Sequence, residues 1–98
     1  MMDRIIREHA RLIVLRVLAA EANGASNSSA LQDHLQLYGI NKPRDWLHEE
    51  LRWLADIGAV TLTDMDTVRI ASITAKGLDH VERRVRIEGV KRPSPAGA

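Results

Sequence analysis

Apolar residues recur along the start of the chain with a helical period. Ile6, Ala10, Ile13 and Val17 are spaced 4, 3 and 4 apart, while Arg4, Arg7 and Arg11 fall on the other side. The pattern predicts an amphipathic helix from Asp3 to Ala22 with a solvated arginine face. Asn23-Gly24 ends it, because glycine enters the left-handed conformation that closes a helix, and Ala25 to Ser28 is expected to be a polar loop. Ser29 and Gln32 stand at capping-box spacing ahead of Leu31 and Leu35, which predicts a second helix ending at Tyr38-Gly39. Ile40-Asn41-Lys42-Pro43 turns into a third helix, with proline tolerated in its first turn. Leu47, Leu51 and Leu54 mark its buried side, and Ile57-Gly58 closes it.

After Gly58 the period changes to two. Val60 and Leu62 alternate with Thr61 and Thr63, then Val68 and Ile70 with Arg69 and Ala71, so the segment predicts a short β-hairpin across the turn Asp64–Thr67. A hairpin alone is marginal, so its apolar side must pack on the helices. Thr74 is placed to cap a fourth helix whose stripe Leu78, Val81 and Val85 runs toward Gly89. From Val90 the chain loses periodicity and carries Pro93 and Pro95. The expected division is a domain over residues 1–89 and a flexible, basic, proline-containing tail over residues 90–98.

Ninety-eight residues hold one domain. No cysteine is present, which removes disulfides and thiolate metal sites. No apolar run nears the roughly 20 residues of a membrane span, and Leu12 to Leu15 is too short for a secretory core, so a cytoplasmic protein without membrane contact is expected. His9, His34, His48 and His80 lie on four different predicted helices without a second ligand nearby, and no serine has a nucleophile context. Neither a metal, a cofactor nor a catalytic residue is expected. Trp46 and Trp53 lie seven apart on one face of the third helix, one expected in the core and the other sealing its edge or a partner interface.

The order of three helices, hairpin and helix is mainly α with a small β-hairpin, and its joints carry a resemblance. Leu31–Ile40, followed by Leu47, Leu51, Leu54 and Gly58-Ala59-Val60, resembles the helix-turn-helix of winged-helix regulators of the ArsR, MarR and PadR type. Ile73-Thr74-Ala75-Lys76-Gly77 resembles the element that ends their wing. Across nearly the whole chain, Arg11-Leu12, Leu15-Arg16, Asn27, Leu31, Leu51, Trp53-Leu54-Ala55, Gly58, Thr74, Gly77 and Gly89 to Pro95 resemble a family of small winged-helix proteins of Mu-like phages and prophages. That resemblance implies a phage-derived protein working in the bacterial host cytoplasm.

In a winged helix the third helix enters the major groove of double-stranded DNA and the wing touches the backbone. The readout candidates are then Lys42, Arg44, His48 and Arg52, with Arg69 on the wing and Lys91 and Arg92 as non-specific phosphate contacts. The expected function is DNA binding, as a transcriptional regulator or DNA-handling accessory. Charge argues the other way. From Asn41 to Gly58, Lys42, Arg44 and Arg52 face Asp45, Glu49, Glu50 and Asp56, and Asp64 and Asp66 stand at the wing tip. The alternative is an interaction module for a phage or host protein on the same scaffold. A positive surface joining the third helix to Arg69 would favour DNA, and an acidic one a protein partner. A homodimer through the terminal helices is expected from their apolar stripes.

Overall fold

Leu12, Ile13, Val14 and Leu15 are four consecutive apolar residues, and a helix turns them in four directions. All can be buried only where other chain surrounds the helix on every side. A computed structural model, which describes residues 2–94, shows this arrangement: all four are buried in α1 (Met2–Ala20). β1 (Ala25–Asn27), α2 (Ser28–Leu37), α3 (Arg44–Asp56), β2 (Val60–Met65), β3 (Val68–Ile73) and α4 (Ala75–Val81) follow. All three later helices and β3 pack on α1. None of the described helices is long and apolar enough to cross a membrane.

The sheet has three antiparallel strands in the order β1-β3-β2. β2 and β3 form the expected hairpin, from Val60 opposite Ile73 to Met65 opposite Val68. The segment expected as a polar loop is instead β1, pairing Ala25 with Ser72 and Asn27 with Ile70. Its residues form a strand because β3 offers an unpaired edge, and Ile73 N–H already donates to the Gly24 carbonyl at 2.8 Å. Where β1 stops, the Ser28 hydroxyl accepts the Arg69 N–H at 3.1 Å and takes the place of a further strand residue.

The capping residues also shift. Asn27, not Ser29, caps α2, its side-chain oxygen accepting the Ala30 N–H at 2.8 Å. Gln32 does not close a capping box; its amide donates to the Lys42 carbonyl and braces the turn before α3. Pro43 stands just outside α3 as its N-cap rather than within its first turn.

Two glycines are joints between α3, the sheet and α4. Gly58 has φ +81°, and a Cβ on Gly77 would stand 2.4 Å from the Ala59 carbonyl oxygen. Gly58→Val should cost about 1 kcal/mol or more, because a β-branched residue strains at positive φ. Gly77→Ala should cost about 1–3 kcal/mol, because the obstacle is backbone that cannot rotate aside. Thermal unfolding of the two variants measures both; an unchanged midpoint in either would refute the corresponding joint.

Thr74 caps α4 as expected, accepting the Gly77 N–H. The helix then ends at Val81 instead of running toward Gly89, and Arg83 takes φ 65°. Val85, expected in the apolar stripe, is exposed, while Ile87 and Val90 are only 5% and 6% exposed. The reason lies in His80, which is fully buried. Its Nδ1 accepts the Ile87 N–H at 3.0 Å, and Nε2 donates to the Lys91 carbonyl at 3.0 Å. Those bonds hold an irregular strap over α1, where Lys91 N–H donates to the Glu8 carbonyl at 3.1 Å. The flexible tail expected from Val90 is therefore corrected: Val90 and Pro93 are buried, and the packed domain passes the boundary drawn at Gly89. Residues 95–98 of that tail lie outside the described residues. Most of the α1 stripe that suggested a homodimer is covered within the chain, with Met2 and Ile5 exposed at one end.

Candidate functional site

α3 is amphipathic, with Leu47, Glu50, Leu51 and Leu54 buried. Its other face, with Arg69 of β3, borders a groove of about 560 Å³. Asp45, His48, Glu49, Arg52 and Asp56 line it from the helix, and Trp53 closes one side.

The cations of this groove are already answered by carboxylates. Arg52 Nε lies 3.5 Å from Asp56 one helical turn on, and Arg69 Nε lies 3.1 Å from Asp64 across the hairpin. Of the remaining acids Asp45 makes no ion pair among the described residues and Glu49 lies 3.8 Å from Arg7 NH1, which is outside the groove, so the lining itself carries more acids than arginines. His48 adds none at neutral pH: burial, then the nearby Arg69 and Arg44, hold its imidazole below the usual histidine range, against a weaker opposite pull from Asp45 and Asp64.

Among the sequence candidates, His48, Arg52 and Arg69 come together in the groove. Arg44 adjoins them and donates from NH2 to the Ser29 hydroxyl at 3.1 Å. Its Nε and the His48 Nε2 are buried without a hydrogen-bond partner among the described residues. Lys42 does not line the groove; its ammonium lies 5.7 Å from the Trp46 ring centroid. Lys91 and Arg92 are exposed on the strap beyond His80 and line no part of it. Among the described residues no three His, Asp or Glu side chains converge as a metal site.

Beneath α3 lies an ionic cluster that the periodicity did not disclose. Arg7 and Arg11, expected on a solvated face, turn toward Glu50, whose side chain is only 2% exposed. Arg7 NH1 donates to one carboxylate oxygen and Arg11 Nε to the other, the latter at 2.7 Å. Arg11 also donates to the Gly89 carbonyl at 2.8 Å and lies 3.8 Å from the Trp53 ring centroid, while Arg7 lies 5.2 Å from that of Trp46. Both tryptophans are thus half-buried and stacked on arginine, rather than one in the core and one at its edge. The available signal was position: Glu50 lies three residues after Leu47 and four before Leu54, on the buried stripe.

Two curated proteins resemble this chain along nearly its whole length. It is 39% identical over 95 residues to an uncharacterized protein, gp26, of Escherichia phage Mu, covering 97% of this chain and 98% of that protein. It is 37% identical over 92 residues to an uncharacterized protein of Haemophilus influenzae, covering 93% and 89%. No family model and no solved structure matches the chain.

Proposed function

This chain belongs to the family of gp26 of Escherichia phage Mu, and from that premise we propose that it is a winged-helix module whose α3 face binds a basic segment of a phage or host protein. The element order and the pairing of β1 with β3 support the winged-helix reading, with α2 and α3 as the helix-turn-helix and β2–β3 as the wing. The observation that carries the partner class is the charge of the groove. Asp45 makes no ion pair among the described residues, Glu49 meets only Arg7 from outside the groove at 3.8 Å, and Arg52 and Arg69 are held by Asp56 and Asp64. Phosphates are repelled from such a surface, whereas a lysine- or arginine-bearing peptide is attracted, with Trp53 as an apolar and aromatic wall.

DNA binding is the second reading, and one observation favours it. Arg44 adjoins the groove and makes no ion pair among the described residues, which leaves one cation on the α3 side for a phosphate or base edge. The two readings predict opposite signs. Asp45→Asn with Glu49→Gln should weaken capture of a lysine- and arginine-rich peptide by up to about thirtyfold if each of the two lost ion pairs is worth up to about 1 kcal/mol. If DNA is the ligand, the same variant should strengthen duplex binding, and Arg44→Ala should cost about 1–3 kcal/mol on a specific site. Fluorescence titration of the peptide and of labelled duplex at two salt concentrations measures both. Salt-sensitive duplex affinity that rises in the double variant would overturn the protein-partner reading.

A further inference from the structure

Arg16 of α1, and Lys91 and Arg92 of the strap, are exposed and make no ion pair among the described residues. They share one region of the surface. The Lys91 N–H bonds to the Glu8 carbonyl, and Lys91 and Arg16 both act on His9, whose imidazole is held below the usual histidine range by burial and then by these two cations. Of the acids there, Glu8 lies 3.7 Å from Arg4, and Glu21 borders the same hollow as His9 and Arg16, so the cations outnumber the acid left to answer them. None of these cations lines the α3 groove, where Asp45 makes no ion pair among the described residues and Glu49 has only Arg7 at 3.8 Å. One surface of the chain is thus basic and another acidic.

We propose that the α3 groove takes up the α1–strap surface of a second copy of this chain, so that Arg16, Lys91 and Arg92 of one protomer meet Asp45 and Glu49 of the next. The inference rests on the reading of the groove as a receptor for basic chain, and it names that chain. Charge selects the occupant: a net charge of +1 lets two copies approach almost without overall repulsion, while their separated acidic and basic surfaces steer them head to tail. Trp53 gives the groove an aromatic wall for an incoming guanidinium such as that of Arg92. Because the two surfaces differ, the contact is heterologous. Each pair keeps one groove and one basic surface open, and association continues into a ring or a filament rather than stopping at a two-fold dimer.

The test is sedimentation of the full chain at about 0.5 mM, a concentration suited to the weak affinity of a few exposed ion pairs. Species larger than a dimer should form at about 10 mM salt, where the screening length is about 30 Å, and dissociate at about 1 M, where it is about 3 Å. Asp45→Asn with Glu49→Gln, and separately Lys91→Gln with Arg92→Gln, should each weaken self-association by up to about thirtyfold. Lys91 is bound to His80 and Glu8 through its backbone, so the second variant keeps the strap in place. Mixed in equal amounts, the two variants should form one-to-one dimers and nothing larger, because only one groove and one basic surface remain between them. Self-association that is absent at low salt, that is unchanged in either double variant, or a mixture that stays monomeric or grows beyond dimers would each overturn the proposal. If the wild type stays monomeric yet captures a lysine- and arginine-rich peptide, the second copy is wrong and the basic-partner reading of the α3 groove stands. If it does neither, both fall.

Discussion

Glu50→Ala should lower the free energy of unfolding by about 3–5 kcal/mol, measured by urea denaturation, because it strips the shared counter-charge from two arginines held under α3. Arg11 suffers most. Its side chain is 11% exposed and has no other carboxylate, whereas Arg7 is 27% exposed and keeps Asp3 at 2.8 Å. Against a total of about 5–15 kcal/mol for a domain of ordinary stability, such a loss brings the protein close to unfolding. Arg7→Met, Glu50→Leu and Arg11→Met combined should recover most of it, since a buried ionic set replaced by apolar side chains of similar volume is often neutral. Recovery should stop short of wild type, because Arg11 also satisfies the Gly89 carbonyl and stacks on Trp53. If Glu50→Ala unfolds at the wild-type midpoint, water or rearranged side chains replace the carboxylate and the cluster contributes nothing.

His80→Leu should be the next most damaging single change. The substitution keeps an apolar volume in a fully buried position but leaves the Ile87 N–H and the Lys91 carbonyl without their partner. Each group left unpaired costs about 1–3 kcal/mol. The loss should be local before it is global: amides of the strap from Arg83 to Lys91 should lose hydrogen-exchange protection while those of α3 and the sheet keep theirs. Unchanged protection at Ile87 and Lys91 would show that burial of Ile87 and Val90 holds the strap without the imidazole.

The helices and the β2–β3 hairpin could be read from the chain because their signals are local: a leucine stripe, a capping threonine, a change of period at Gly58. What escaped reading depends on partners distant in sequence. Ala25-Ser26-Asn27 has no alternation of its own and becomes a strand only because β3 presents an open edge. Val85 continues the spacing of Leu78 and Val81, yet the buried position goes to Ile87 once His80 binds its N–H. The candidate groove was readable as a helix face but not as an electrostatic whole. Arg52 and Arg69 count as positive in sequence, and their ion pairs with Asp56 and Asp64 cancel them in space. Glu50 lay on the leucine stripe, but its two arginine partners are 43 and 39 residues away.

The strap over α1 also bears on how the chain matures during synthesis. Lys91 bonds to Glu8 and Gly89 to Arg11, so α1 is completed by residues made after every other described element. While those residues are still inside the ribosome, α1 lacks the covering that Ile87 and Val90 provide, and Arg11 lacks one of its acceptors. Helix α1 can form early, since its bonds are internal, but its closure must await contacts of long sequence separation, which form slowly because a large loop must be closed first. A nascent chain whose strap is still inside the ribosome should therefore expose apolar α1 surface and bind hydrophobic-surface chaperones, and emergence of the strap from the ribosome should release them.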